Sequence, residues 1–465
     1  MPAIPVIAII DVGKTNKKLF LFDQNYRIVF ERSARFIETT DEDGFPCENL
    51  DSLRLSVFDS LHEVFRQKDF DIKAINFSTY GASFVYIDED GKPVAPLYNY
   101  LKPYPDYLKK KFYDTYGGEE EFSHQTASPV LGNLNSGMQL YRMKHEKPEI
   151  FSRIKYALHL PQYMSYLISG NVYSDITSIG CHTNLWNFIK DDYHEWVYKE
   201  GIAEKLPPIV SCEDVFPAAF PGSNYLVGVG LHDSSAALIP YHVSFQEPFI
   251  LISTGTWCIS LNPFNQTPLT QRELQLDCLC YLHYQGKPVK ASRLFAGNEH
   301  EEQVKRIAEA FNQSTLRYRT MEFDRDLLTA LQTKIEAVDT SDTNQLIFKS
   351  LFAKRDLAQF DSDEEAYHQL IQDIVTQQEA STKLIMEGTD VKRIFVDGGF
   401  SQNSIYMNLL AQAFPQHEVF AASMAQATAM GTALSIHSSW NDRAFLPNDI
   451  IKLKYYAVTQ DQLHR

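Results

Sequence analysis

The chain opens on an unbroken, β-branched apolar run at residues 6–10, of strand length and closed by a polar turn, which predicts a buried strand. The turn Asp11-Val12-Gly13-Lys14-Thr15-Asn16 leads to a second apolar run at 19–22, and a third at 26–30 follows the polar residues 23–25. Links this short predict an antiparallel meander whose first tip carries glycine and hydroxyl groups. The same order recurs downstream as an apolar run at 249–252, the turn Ser253-Thr254-Gly255-Thr256, and an apolar run at 257–261. This is weak internal repetition on the scale of a domain.

Between the two meanders, strand-like runs at 74–77 and 84–87 alternate with helix-like stretches at 53–65, 135–147 and 163–168. A long amphipathic stretch at 366–386 later leads into a strand-like run at 393–396. Such alternation predicts an α/β architecture. At about 150 residues per domain, 465 residues exceed what one core serves. The boundary is expected at 241–248, where Pro240 and Pro248 flank a connector, giving domains of residues 1–243 and 244–465.

Composition narrows the function classes. With 44% hydrophobic and 22% charged residues the chain reads as globular, and its net charge of −16 repels nucleic-acid backbones and anionic bilayers. An acidic chain that holds phosphates needs a local answer, a metal ion with backbone N–H groups. The six cysteines are scattered, and the close pair Cys278 and Cys280 lacks zinc-site spacing, so reduced, mostly buried thiols are expected. The apolar opening has no basic residue before it and ends at Asp11, unlike a secretory leader. No stretch reaches the roughly 20 apolar residues of a membrane helix. A cytoplasmic setting is expected.

Four polar elements could carry chemistry. Asp11 ends the first strand ahead of Gly13 and Thr15, so a carboxylate and backbone donors can converge to hold a phosphate and Mg2+. The plain alternative is a turn with a capping Asp. Gly13-Lys14-Thr15 resembles the tail of a P-loop, but Ala8 stands where that motif needs glycine, which rejects it. In the small-residue stretch 228–237, Asp233 beside His232 is the candidate base that accepts an alcohol's proton during phosphoryl transfer. It could equally cap a helix starting at Ser234. The turn 253–256 offers N–H and hydroxyl donors to a transferring phosphate, or is an ordinary hairpin. Asp397-Gly398-Gly399-Phe400-Ser401-Gln402-Asn403 lets a planar ligand approach backbone closely, or is a strand-to-helix turn capped by Ser401.

Taken in order, these elements, with Gln426-Ala427-Thr428-Ala429-Met430-Gly431-Thr432-Ala433-Leu434, resemble the FGGY family of carbohydrate kinases over nearly the whole chain. Within it the nearest likeness is to L-rhamnulose kinases, through Ser78-Thr79-Tyr80-Gly81, Leu160-Pro161-Gln162-Tyr163 and His232-Asp233-Ser234-Ser235-Ala236. The resemblance implies two ribonuclease H-like domains of the actin and hexokinase type with a cleft between them. Sugar would bind mainly to the N-terminal domain and ATP to the C-terminal one, and closure would exclude water. It implies ATP-dependent phosphorylation of a ketose or deoxyketose such as L-rhamnulose, L-fuculose or xylulose.

By motif match, Asp11 would help hold Mg2+ and Asp233 would be the base. Gly13, Lys14, Thr15, Asn16, Gly255 and Thr256 would meet phosphates, while Gly297, Gly398, Gly399 and Asn403 would line the nucleotide site. Tyr80, Gly81, Ser83, Gln162 and His232 would face the sugar, with Tyr98, Tyr100 and Tyr104 the aromatics to watch. Lys14, Ser83, Gln162, Phe400 and Gln426 depart from the family's pattern. Ser83 and Gln162 stand where carboxylates are expected, which bears on sugar choice. A sugar-binding regulator of little activity on the same fold, or an ATPase of the actin or chaperone kind, are the alternatives. The expected partners are sugar and ATP, without nucleic acid or membrane, and self-association into a homo-oligomer is compatible with the family.

Overall fold

The computed structural model describes residues 2–14, 17–34, 37–335, 342–424, 426–447 and 449–457. The chain divides into two compact units. The first comprises Met1–Ser244 with Cys280–Pro288 and Ala425–Ile450, and the second Phe245–Leu279, Val289–Met424 and Ile451–Arg465.

The first unit is built on β1 (Ile4–Val12), β2 (Lys17–Asp23) and β3 (Ile28–Ala34), followed by α1 (Leu50–Phe65) and β4 (Phe70–Thr79). Later come α2 (Leu160–Ser169), β5 (Val215–Pro217), β6 (Leu226–Gly228), β7 (Leu231–His232) and α3 (Asp233–Ser244). The sheet runs β5-β6-β4-β1-β2-β3, with β7 also paired to β4. Strands β1 to β3 are antiparallel neighbours, as the short turns predict, whereas β1 and β4 are parallel across the crossover helix α1. Val6, Ile7, Ala8 and Ile9 are fully buried, which is why the opening run is continuous rather than alternating. A second core in this unit gathers aromatics such as Phe84, Phe112, Tyr141 and Trp196.

The second unit repeats the plan with β8 (Phe249–Thr254), β9 (Cys258–Asn262), β10 (Pro288–Leu294), α4 (Ala296–Ala310), α5 (Asp363–Met386), β11 (Arg393–Gly398), α6 (Ser404–Ala413) and β12 (Glu418–Ser423). With a final β13 (Lys452–Tyr456), these strands lie in the order β10-β9-β8-β11-β12-β13 within a seven-stranded sheet. Helix α5 keeps its 24 residues because Ser362 caps it, three acidic residues complement its first turn, and no glycine or proline interrupts it. Its buried face packs in the core beside α6 and α4.

The residues 427–435 form a helix that packs in the first unit, although they lie beyond the expected boundary. The physical reason is close approach: a Cβ on Gly431 would meet the Ala236 carbonyl oxygen at 1.8 Å, so only glycine lets this helix lie on α3. Asn76 of β4 reinforces the contact by donating to the Thr432 carbonyl at 3.1 Å. Gln426, one of the departures from the family's pattern, belongs to the first unit. Among the described residues, no helix is long and apolar enough to cross a membrane. All six cysteines are buried.

Candidate active site

Strand register assembles the first cluster. Asp11 pairs with Ser78 across β1 and β4, and Leu231 of β7 pairs with the same Ser78 on its other side. The ends of three parallel strands thus lie side by side, and Asp233 follows directly after β7. Ser78 Oγ donates to Asp11 Oδ1 at 2.9 Å. Burial raises the Asp11 carboxyl to about 6, with Ser78 and Lys18 opposing the rise and Asp233 adding to it. Burial likewise raises Asp233 to about 6, against hydrogen bonds from Ser234. One face of the Asp233 carboxylate stays open, its side chain being 33% exposed, while the surrounding protein still desolvates it.

Asp233 does accept from the Ser234 backbone N–H, at 2.6 Å, but the helix begins at Asp233 itself rather than after it. His232 Nε2 stands 3.2 Å from Asp233 Oδ1, and burial holds this imidazole down to about 4, so it is neutral near pH 7. Its ring lies against Gly81, where an added Cβ would come within 2.7 Å of Nε2. The His232 N–H donates to Thr177 Oγ1 at 3.0 Å, and Thr177 in turn donates to the buried Asp175. Gln162 is buried at 2% exposure, and its amide donates to Asp175 Oδ1 and to the Gly230 carbonyl, each at 2.9 Å. It therefore sits beneath the loop that presents His232 and Asp233. Ser83, equally buried, accepts the Leu160 N–H through its carbonyl at 3.1 Å.

Tyr80 is buried and donates its hydroxyl to Glu48 at 2.9 Å. Lys14 projects to the same place: its Nζ lies over the Tyr80 and Tyr100 rings and 3.7 Å from Glu48. Gly13 is part of the same tip, while Thr15 and Asn16 lie outside the described residues. Of the tyrosines singled out, Tyr98 bonds Glu42 and Tyr104 is half-buried with its hydroxyl enclosed, and burial and then Asp233 and Glu48 raise the half-buried Tyr100.

The second cluster lies within the second unit, around a cavity of about 650 Å3 whose walls include Gly255, Gly297, Gly399 and Asn403. That volume suits a small-molecule site. Two backbone approaches shape it. A Cβ on Gly297 would fall 1.8 Å from the Gly255 carbonyl oxygen, so glycine brings the N-terminus of α4 onto the turn, where the Asn298 N–H donates to the Thr256 carbonyl at 3.2 Å. Gly398 has φ of +83° and its Cβ would meet the Thr254 carbonyl at 1.9 Å. Thr254 Oγ1 accepts from the Phe400 N–H at 3.0 Å and donates to the Asp397 carbonyl. Asn403, not Ser401, caps α6, accepting from Ile405 and Tyr406 while donating to the Tyr367 hydroxyl at 2.7 Å. Thr256 is exposed on the same turn and lines an adjoining recess with Gly255 and Gly297.

Sequence reasoning missed His300, Tyr318 and Arg319, which also wall the cavity. His300 could have been found, since it stands one helical turn after Gly297; Tyr318 and Arg319 carried no local signal. It also missed Glu48, which lies in a short strand remote from every motif.

A model of the FGGY carbohydrate kinase N-terminal domain matches residues 6–238, and one of the FGGY carbohydrate kinase C-terminal domain matches residues 246–444. The chain belongs to the FGGY family of carbohydrate kinases. A rhamnulokinase of Mannheimia succiniciproducens is 23% identical over 274 residues, covering 54% of this chain and 52% of that protein. The chain thus spans about half the length of the curated relatives it matches. A carbohydrate kinase of Novosphingobium aromaticivorans superposes with a TM-score of 0.79 at 22% identity, covering 98% of this chain and 94% of that one. A xylulose kinase of Lactobacillus acidophilus gives 0.75 at 17% identity over the same shares. The fold is that of the FGGY sugar kinases, two domains of the actin and hexokinase type.

Mg2+ is expected for a kinase, and the first cluster suits it. Two partly buried carboxylates, both raised by desolvation, make a site whose negative potential a divalent cation would relieve. Among the described residues no group of three or more His, Cys, Asp or Glu forms a metal cage. Mg2+ needs none, being held by one or two carboxylates together with substrate phosphates.

Proposed function

We propose that the protein is a cytoplasmic kinase that transfers the terminal phosphoryl group of ATP to a hydroxyl of a small ketose or deoxyketose. The observation that carries the reading is the convergence of Asp11 and Asp233 at neighbouring strand ends, both with raised pKa. A general base works best when its pKa lies near the working pH, so a carboxylate at about 6 is both ionised near neutrality and basic enough to draw a proton from an alcohol.

Asp233 accepts the hydroxyl proton as the oxygen attacks phosphorus. Neutral His232, 3.2 Å away, orients that carboxylate, and Thr177, Asp175 and Gln162 fix the loop beneath both. Asp11 would hold Mg2+, which would supply neutralisation of charge on the phosphates. On the other domain, the Gly255 and Thr256 turn, the N-terminus of α4 at Gly297, and Gly398, Gly399 and Asn403 receive the nucleotide. Assignment of sugar to residues 1–243 and nucleotide to 244–465 follows, with the reservation that 280–288 and 425–450 pack in the first unit.

The departures at Ser83 and Gln162 lie in buried, backbone-bonded positions and leave Asp233 untouched, which favours an enzyme over a sugar-binding regulator. The test is ADP release from Mg-ATP across ketoses, deoxyketoses and polyols. Release that depends on one class of sugar is expected; sugar-independent hydrolysis, or sugar binding without turnover, would overturn the proposal.

A further inference from the structure

His300 ends a chain of hydrogen bonds whose direction is set from its far end. Asn403 caps α6, and its Oδ1 accepts from the Ile405 and Tyr406 N–H groups at 3.1 Å each, so its amide nitrogen is the atom that faces Tyr367. That nitrogen donates to the Tyr367 hydroxyl at 2.7 Å. Tyr367 is 2% exposed, and a buried hydroxyl must place its one proton. Its partners among the described residues are the Asn403 amide, a donor, and His300 Nε2 at 2.9 Å, which therefore accepts. Burial holds the His300 imidazole down to about 4, so the ring is neutral near pH 7. A neutral ring that accepts at Nε2 carries its proton on Nδ1.

The Nδ1–H so defined has no hydrogen-bond partner among the described residues. The residue forms part of the wall of the cavity of about 650 Å3 and of its adjoining recess. Its neighbours on that wall are aromatic: the Tyr318 ring stands edge-on with centres 4.9 Å apart, and the Phe400 ring edge-on at 5.2 Å. Rings on a cavity wall suit a flat heterocycle, and an N–H donor among them pairs with an acceptor at that heterocycle's edge. A phosphate would gain more from a charged donor than from a neutral imidazole.

We propose that His300 is a specificity-determining residue for the nucleotide, its Nδ1–H donating to a ring nitrogen of a purine base. Tyr367 is a positioning residue that acts through His300, holding it in the tautomer that can donate. The inference rests on the nucleotide half of the kinase reading and deepens it.

The experiment joins a spectrum to a binding series. Nitrogen NMR of the histidine rings, with His300 assigned by its loss in His300→Phe, should show a neutral ring protonated at Nδ1 in wild type and a mixture of tautomers in Tyr367→Phe. A wild-type ring protonated at Nε2 overturns the inference. Calorimetry then compares ATP with analogues in which N1, N3 or N7 is replaced in turn by C–H. One analogue should bind wild type about 5- to 50-fold more weakly than ATP, and His300→Phe should weaken ATP to a similar degree while no longer distinguishing that analogue. Tyr367→Phe, which leaves His300 in place, should raise the KM for ATP about 2- to 10-fold and spare the KM for the sugar. Equal binding of ATP and all three analogues, or a loss seen with 2′-deoxy-ATP in their place, overturns the inference. ATP binding that His300→Phe leaves unchanged overturns it alone, whereas failure of wild type to bind ATP overturns the nucleotide reading with it.

Discussion

The two units begin alike and end differently. In each, a buried strand turns back on an antiparallel partner and pairs in parallel with a later strand. The register is equivalent: Asp11 faces Ser78 in the first unit, and Ser253 faces Asp397 in the second. Carboxylate and hydroxyl have exchanged strands. In the first unit the exchange leaves Asp11 at the hairpin tip, joined by Asp233 from a third strand. In the second, the hydroxyl of Thr254 is spent on the Asp397 carbonyl and the Phe400 N–H, and the tip is finished by glycines that let backbone meet backbone. On the proposed reading, one topology thus yields a tip for proton and metal chemistry and a tip for cradling phosphate. The difference lies in a few residues at strand ends, which is where function is grafted onto a fold.

The comparison breaks first at the base. Asp233→Asn keeps the shape and the Ser234 contact but removes the acceptor, and steady-state ADP release should fall about a thousandfold. Nucleotide binding, read by calorimetry, should persist. Asp11→Asn should lower kcat about a hundredfold, since it loses a single charge to the metal, and raised Mg2+ should recover part of the loss. In the second unit, Gly398→Ala should raise the KM for ATP about tenfold or more while leaving sugar binding alone, because φ of +83° and the Thr254 carbonyl leave no room for a methyl group. The gentlest test is Asn403→Ala. Loss of the α6 cap should lower stability by about 1 kcal/mol in a denaturant titration and weaken nucleotide binding slightly.

Much of this contrast was legible in the chain. The apolar run at 6–10 is the middle of β1, and the stretch at 366–386 is α5 almost to its ends. Both are set by local periodicity, which a sequence displays. Gly255, Gly399 and Asn403, marked by turn chemistry, and Gly297, implied by the family resemblance, line one cavity. What escaped depends on contacts between distant segments. Nothing local to Gln162 shows that its amide donates to Asp175 and to the Gly230 carbonyl. Ser401 and Asn403 are both good caps, and only the backbone path selects Asn403. Glu48 gains its role from Tyr80, Lys14 and Lys17, none of which is its neighbour in sequence.

The central claim is that a carboxylate of the first unit, held near 6 by burial, is the base. Its most direct test is the pH dependence of kcat/KM for sugar-dependent ADP release between pH 5 and 8. A raised carboxyl is protonated below its pKa and idle, so the rate should be level above about 6 and fall about tenfold per pH unit below it, more steeply if Asp11 must also be ionised. A profile that stays level down to pH 5 would contradict the account.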